Sequence, residues 1–376
     1  MLHLFFPSDN NHVGSYIYDQ VIALKSQSDY IVDVIKIVGL FSSEKNYSFN
    51  GIDVHIFKII DLPFFIFPGL FNFINTRRFI KFLRRCSFYD DIKVLHGHVC
   101  YPSAYLINIF SRKKKIFTII QHHGIDVLQL LNGRLSLITF LQQSYLKYRS
   151  IRKINSIGLN ISVSKKVMNK LRGYKMYNPN DEYVLYNGVD TEKFYPIKSI
   201  KNSSNFEIGC VANFWPIKDH YSLIKAISLL IKDGITDIHL RLVGDGVTLN
   251  KCKDYVKDNN LQAFISFEKN RSHEELNQFY NEIDVMVLPS YFEALGCVLL
   301  ESWATNTVVI SIKGQGFSEI IPEKLKDKLL AEPNSPESLR DKLRLIYEKR
   351  EDMIFDKNYD IKNTITNFLR YLNLGN

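Results

Sequence analysis

Short, almost wholly apolar runs alternate with amphipathic helical patterns, and this alternation constrains the fold more than any other feature. The runs of the second half are EIGCVA (207–212), IHLRLV (238–243), DVMVL (284–288) and TVVISI (307–312). Segment 221–232, between the first two, carries its apolar residues at helical spacing. Brief apolar strands separated by amphipathic helices are typical of parallel sheets covered on both faces. The second half is therefore predicted to be a doubly wound α/β domain.

The first half repeats the same theme. Its runs are LHLFF (2–6), VDVIKIV (32–38), VHIFKI (54–59), IKVLHGH (92–98), IFTII (116–120) and LNISV (159–163). Segment 187–205 is polar and lacks periodicity, so it is the predicted boundary. The chain is therefore predicted to contain two doubly wound α/β domains. In such proteins ligands bind at the carboxyl ends of the strands, and the cleft between the domains is the expected site.

Composition excludes several classes. A hydrophobic content of 46% is typical of a packed soluble protein. The longest apolar stretch, 62–70, contains two prolines and falls short of the roughly twenty residues of a membrane span. The start lacks the basic region of a signal peptide, so a cytosolic location is expected. Five scattered cysteines without C-x-x-C suggest neither disulfides nor zinc.

The net charge of +9 is concentrated in the first half. Residues 1–205 carry 27 Lys and Arg against 14 Asp and Glu, whereas residues 206–376 carry 21 against 25. Such asymmetry predicts that the basic half meets an anionic partner, which is a nucleic acid, a membrane or a phosphorylated ligand.

The strongest chemical constellation is PSYFEALGCVLLESWATNTVVIS (289–311). A strand ends near Pro289, a loop carries Glu293, and a helix beginning near Leu295 carries Glu301. A helix N-terminus is a favourable seat for phosphate. Eight residues of helix rise roughly 12 Å, comparable to the span from ribose to sugar in a nucleotide diphosphate sugar. Alternatively, Glu301 faces solvent and Glu293 only caps the helix.

This segment resembles the E-x7-E region of retaining glycosyltransferases of family 4, which have the GT-B fold. The shared positions are Pro289, Ser290, Glu293, Gly296, Glu301, Ala304, Val308 and Val309. The chain departs from the usual pattern at 294–295 and at 306–307. The resemblance implies an α/β GT-B fold, with two Rossmann-like domains facing across a cleft.

Further segments of the second half resemble this family. VANFWPIKDHYSLIKAI (211–227) matches its phosphate-binding strand and loop, which implies donor-binding roles for Asn213 and Lys218. Lys218 would stabilise the diphosphate leaving group, although an exposed loop lysine is the alternative. The loop at Arg271 lies beside the base in relatives, and IKGQGFSEII (312–321) places Gly316 at the donor phosphates, with Gln315 replacing a usual glycine.

In the first half, HVGSYIYDQVIALKSQ (12–27) resembles the glycine loop of the family, with Gly14 at the donor phosphate. LHGHVCYPSAYLI (95–107) places His98 on the acceptor side, and QHHGIDV (121–127) places His123 and Asp126 beside the donor sugar. Each histidine has a structural alternative. Metal ligation by His96, His98, His122 and His123 is not expected because their spacing matches no familiar ligand pair.

The resemblance completes the predicted domains. The acceptor-binding domain would consist of residues 1–190 and a returning C-terminal helix at 358–376. The linker would be residues 191–205, and the donor-binding domain would be residues 206–357. The implied catalytic residues are His123, Asp126, Glu293 and Lys218. The implied reaction moves a sugar from a nucleotide diphosphate sugar to a hydroxyl with retained configuration, without metal or other cofactor. A nucleotide-sugar epimerase, a phosphorylase, a catalytically inactive relative and a nucleic-acid-binding protein are the alternatives, although no nucleic-acid motif is present.

Segment 62–86 mixes seven phenylalanines with five Arg and Lys, and SRKKKIF (111–117) adds a second basic cluster. A basic face beside exposed aromatics suits docking on an anionic leaflet. If most of the phenylalanines are core, the charges form only a solvated face. Lipid-linked glycan acceptors are common in the family, so we expect a peripheral enzyme at the inner face of the cytoplasmic membrane.

Overall fold

The structure is a computed structural model. It describes residues 1–8, 14–61, 69–112, 116–124, 139–198, 203–349 and 352–374. The chain divides into two compact units, Met1–Tyr186 with Ile365–Asn376, and Asn187–Thr364. Each unit is built around its own sheet.

The first unit contains an eight-stranded sheet. Its strands are β1 (Leu2–His3), β2 (Val34–Gly39), β3 (Tyr47–Phe49), β4 (Ile52–Ile59), β5 (Val94–His98), β6 (Phe117–His122), β7 (Leu159–Ser162) and β8 (Glu182–Val184). The order is β3-β4-β2-β1-β5-β6-β7-β8. Every neighbouring pair is parallel except β3 and β4.

Five α-helices of the described residues belong wholly to this unit. They are α1 (Ser15–Gln27), α2 (Asn72–Leu83), α3 (Tyr105–Ile107), α4 (Thr139–Asn155) and α5 (Lys165–Arg172). The predicted strand at 2–6 is only two residues long. The backbone N–H of Phe5 donates to Nδ1 of His3 at 2.6 Å, which turns the chain out of the ladder.

The second unit contains a six-stranded sheet that is parallel throughout. Its strands are β9 (Phe206–Val211), β10 (Ile238–Val243), β11 (Ile265–Glu268), β12 (Val285–Val287), β13 (Val308–Ile312) and β14 (Leu330–Ala331). The order is β11-β10-β9-β12-β13-β14. β12 and β13 are buried at every position, as expected for strands covered on both faces.

In the described part of this unit, six α-helices flank these strands in sequence. They are α6 (His220–Lys232), α7 (Leu249–Asp258), α8 (His273–Glu282), α9 (Cys297–Ala304), α10 (Glu323–Leu329) and α11 (Pro336–Glu348). The alternation of strands and helices confirms the predicted pair of Rossmann-like α/β domains. In the segment predicted as a linker, the N–H groups of Tyr195 and Ile197 donate to the side chains of Asn277 and Asn281. Residues 195–197 therefore pack within the second unit.

The last helix, α12 (Ile361–Leu374), lies mostly in the first unit. Tyr371 stacks near Tyr183, with 4.4 Å between ring centroids, and its hydroxyl donates to Asp181 at 2.5 Å. In the described part of the chain, no helix has both the length and the apolar content of a membrane span.

Candidate functional site

Three loops meet at the carboxyl edge of the second sheet. They follow β9, β12 and β13, which are adjacent parallel strands and therefore end at the same edge. The β9 loop passes through a 3₁₀ turn, Pro216–Lys218, before α6 begins. The N–H of Tyr291 in the β12 loop donates to the carbonyl of Ile217 at 3.2 Å, which joins the first two loops.

Lys218 and Glu293 form an ion pair between these loops. Their Nζ and Oε2 atoms are 2.5 Å apart, and the side chains are only 25% and 19% exposed. A pair that is largely removed from water is screened less than a surface pair. The structure thus brings together the cation and one carboxylate that the sequence predicted at the donor.

The β13 loop is hydrogen-bonded to the backbone of Glu293. Gln315 is buried, its Oε1 accepts from the N–H of Glu293 at 2.8 Å, and its Nε2 donates to the carbonyl of Tyr291 at 3.0 Å. The N–H of Gly316 donates to the carbonyl of Glu293 at 3.2 Å. A Cβ on Gly316 would lie 1.7 Å from the carbonyl oxygen of Ala294, so only glycine fits this close approach.

Glu301 lies on α9, which begins after Gly296. Gly296 has φ +88°, a conformation that glycine adopts readily. The hydroxyl of Tyr280 donates to Oε2 of Glu301 at 2.9 Å. Burial first, and then the charge of Glu301, raise the pKa of Tyr280 well above its ordinary value, so the phenol remains a donor. A hydrogen bond from the buried Tyr280 therefore holds the second predicted carboxylate, Glu301.

The remaining predicted donor residues of the second unit, Asn213 and Arg271, lie on loops of the same edge. Asn213 is exposed, two residues beyond β9. Arg271 follows β11, where it pairs with Glu268 and lies over the ring of Phe279 at 5.1 Å. Arg271 thus has a carboxylate partner and an aromatic platform, and its predicted role beside the base stays a prediction.

In the first unit, histidines stand at the carboxyl ends of three adjacent parallel strands. His3 ends β1, His98 ends β5, and His123 follows β6 directly. Nδ1 of His98 and Nε2 of His123 are 2.9 Å apart, so one ring donates to the other. Burial, reinforced by neighbouring histidines, lowers the pKa of His98 well below its ordinary value. His98 is therefore neutral at physiological pH.

Among the described residues, His3, His98 and His123 are the metal-ligating side chains that cluster closely enough to hold an ion, with ligand atoms within 4.8 Å. The Nδ1 atom of His3 already accepts from the Phe5 N–H, which leaves Nε2 as the protonated nitrogen of the neutral ring. With His3 in this tautomer, the trio fits a metal poorly, and the predicted absence of metal stays a prediction.

Gly14 caps α1 with φ +94°, and a Cβ there would lie 2.7 Å from the carbonyl oxygen of Phe5. Both the conformation and the space require glycine. His122 is buried, and its Nε2 lies 3.3 Å from Oδ1 of Asn160. Asp126 lies outside the described residues.

Residues of these sites that were missed in the sequence include His3, Gln315 and Tyr280. His3 ends the first strand, and its position was the available signal, since strand ends at one edge converge. Gln315 was noted only as a replacement for glycine. Its role depends on two hydrogen bonds across more than twenty residues of sequence, which no local pattern reveals.

Comparison with known proteins covers both units. The family model for glycosyl transferases group 1 matches residues 192–362, and the model for glycosyltransferase family 4 matches residues 13–193. An uncharacterised glycosyltransferase of Methanocaldococcus jannaschii is 30% identical over 263 residues, which are 70% of this chain and 67% of that relative. An O-antigen chain mannosyltransferase of Salmonella typhimurium is 27% identical over 49% of this chain and 50% of its own length.

Solved structures share the fold. Sucrose-phosphate synthase of Thermosynechococcus elongatus superposes with a TM-score of 0.73 at 16% identity, covering 96% of this chain and 94% of its own. Anabaena HepE, solved in complex with UDP and glucose, superposes with a TM-score of 0.71 at 16% identity, covering 98% of each chain.

Proposed function

Because the chain belongs to the glycosyltransferases of family 4 and group 1, we propose that it moves a sugar from a nucleotide diphosphate sugar to an acceptor hydroxyl with retained configuration. One observation carries the proposal most directly. A largely buried Lys218–Glu293 pair stands at the carboxyl edge of the second sheet, on loops joined to each other and held by Gln315.

In this proposal the second unit binds the donor. Lys218 stabilises the charge that develops on the diphosphate as the glycosidic bond breaks. Glu293 accepts a hydrogen bond from a sugar hydroxyl, and Glu301 accepts one from the ribose. In the free protein the carboxylate of Glu293 pairs with the ammonium group of Lys218, and an arriving diphosphate would compete for that ammonium group. The ion pair thus keeps Lys218 in place before the donor binds, which lowers the cost of ordering it.

The relatives support the donor and acceptor classes. HepE has been solved with UDP-glucose, which supports a nucleotide diphosphate sugar as the donor. The Salmonella relative is named as an O-antigen chain mannosyltransferase, which supports a lipid-linked or glycan acceptor. We assign acceptor binding to the first unit, with His98 on the acceptor side. We assign His123 and Asp126 to the donor sugar, and we expect no metal or other cofactor.

We also propose that the first unit docks on an anionic inner leaflet. Helix α2 buries Phe79 and Leu83 but exposes Phe73 (67%) and Ile74 (45%), and the guanidinium of Arg77 lies 3.9 Å from the ring centroid of Phe73. The helix therefore has both a core face and an exposed aromatic and basic face. Residues 62–68, with three further phenylalanines, lie outside the described part.

Activity is tested on the purified chain with UDP-, GDP- and dTDP-sugars and a panel of lipid-linked and free glycans, by following release of the nucleoside diphosphate and the sugar product. Lys218→Ala and Glu293→Ala should each abolish most transfer, whereas Lys313→Ala, an exposed lysine of the same unit, should not. Conversion of the donor into a different nucleotide sugar without any acceptor would contradict transfer and indicate epimerisation.

Docking is tested separately by co-sedimentation with liposomes of neutral or anionic lipid. Binding should rise with anionic lipid, fall with salt, and weaken in Phe73→Ser. Ile354→Ser is a matched control because Ile354 is 80% exposed and belongs to the second unit. Binding that ignores lipid charge and salt would contradict membrane docking without affecting the assignment of transfer.

A further inference from the structure

A cavity of about 370 Å³ lies in the first unit at the amino edge of its sheet. It is lined by the amino ends of β1, β2 and β5 and by helix α12, so it is at the edge opposite to His98 and His123. Its walls are mainly apolar and come from helices and strands of both faces. They include Leu24, Leu83, Leu95, Ile119, Phe368 and Leu369. Size and lining both match small-molecule sites.

The charge around the cavity is opposite to that of its surroundings. Asp29, Asp33 and Asp91 line it, against Lys93 and the buried α-amino group of Met1, whose pKa burial lowers to about 6. The first half of the chain is strongly basic, so three carboxylates along one cavity stand out from it. Asp29 and Asp91 are exposed, and within the described residues neither forms an ion pair. Their carboxylates remain available to a cation.

His96 adds a polar atom to the apolar wall. It lines the cavity and is buried, and its Nε2 has no hydrogen-bond partner in the part of the chain that the structure describes. Burial lowers the pKa of His96 to about 3, so the ring is neutral and adds no positive charge beside a bound cation. The ring also stacks on His98 with 4.5 Å between centroids, which connects the cavity to the predicted acceptor side.

From these features we propose that the cavity binds an apolar amine, with its hydrocarbon body among the leucine and phenylalanine side chains and its ammonium group beside Asp29 and Asp91. The apolar walls account for the hydrocarbon body. The unpaired carboxylates account for the charge of the head group. This cavity lies at the edge of the sheet opposite to His98 and His123, and a hydrophobic amine is a ligand that the transfer reaction does not require.

The proposal is tested by calorimetric titration of the full chain at neutral pH and low salt with n-octylamine, n-octanol and octanoate, which share a body but differ in head charge. Octylamine should bind most tightly and octanoate least. Hexylamine should bind about fifteenfold more weakly than octylamine, because it buries two methylenes fewer. The double variant Asp29→Asn/Asp91→Asn should weaken octylamine about fivefold for each carboxylate lost.

Two further variants separate the contributions. Asp90→Asn neutralises an exposed carboxylate that does not line the cavity, and it should leave octylamine binding unchanged. Leu372→Trp, at a half-buried lining position on α12, should fill the cavity and abolish octanol binding while circular dichroism remains native. Absence of binding by all three probes, equal binding of octanoate and octylamine, or equal effects of the Asp90 and the double variant would overturn the proposal.

Discussion

Gln315 should be a positioning residue for Glu293, and its removal has a calculable cost. The side chain is 6% exposed and makes two hydrogen bonds, of 2.8 and 3.0 Å, to the backbone around Glu293. A typical hydrogen bond contributes about 1 kcal/mol net, so Gln315→Ala should lower the free energy of unfolding by about 2 kcal/mol. If the same restraint acts in the transition state, transfer slows by about 30-fold.

The two effects can be measured independently. Both tryptophans, Trp215 and Trp303, lie in the second unit, so urea unfolding followed by tryptophan fluorescence reports on that unit alone. The rate is measured at saturating donor and acceptor. Gln278→Ala is the matched control, because Gln278 is exposed and makes one hydrogen bond to Glu282. A Gln315→Ala protein that is destabilised but transfers sugar at the native rate would refute the positioning role.

The other predictions concern the same two units. Gly316→Ala should abolish transfer and destabilise the second unit by more than Gly314→Ala, since Gly314 has φ +71° but open space and should cost only about 1 kcal/mol in urea unfolding. Equal losses would contradict the close approach at Gly316. A double-mutant cycle of Lys218→Met and Glu293→Gln should give a coupling of about 1 kcal/mol that weakens little in salt, and additive effects would contradict the pair. The pKa of His96 is lowered to about 3 from 6.5, so the unfolded chain takes up the proton first as pH falls, and stability drops between pH 6.5 and 3. His96→Gln should flatten that slope by up to about 1.4 kcal/mol per pH unit, measured by urea unfolding at several pH values, and an unchanged slope would contradict the burial of a neutral ring.

Much of the fold could be predicted because its long parallel strands are mostly apolar runs. The strands that were not anticipated are short or polar. For example, β3 (Tyr47–Phe49) and β8 (Glu182–Val184) have no fully buried residue, so neither carries the apolar run that the prediction relied on. At the other extreme, the run 2–6 overestimated β1, because a side-chain acceptor in His3 ends the strand early.

The candidate site was predicted only in part, for a related reason. Spacing and context identified Lys218 and Glu293, and the structure pairs them. Tertiary partners are invisible to such arguments. Three contacts join positions that are distant in sequence. They are the hydrogen bonds of Gln315 to the backbone around Glu293, of Tyr280 to Glu301, and between His98 and His123. The family resemblance identified which residues belong to the candidate site, whereas only the structure showed which side chains contact one another.

The neutral state of His98 has a consequence for the role of the large positive charge of the first half. At the predicted acceptor edge of the first unit, His98 presents an uncharged imidazole, although residues 1–205 carry 27 Lys and Arg. Encounter with an anionic surface or acceptor and turnover after binding should therefore respond differently to ionic strength. Added salt should slow the approach of the acceptor while leaving the maximal rate nearly constant, so the ionic-strength profile becomes a means of dividing delivery from chemistry.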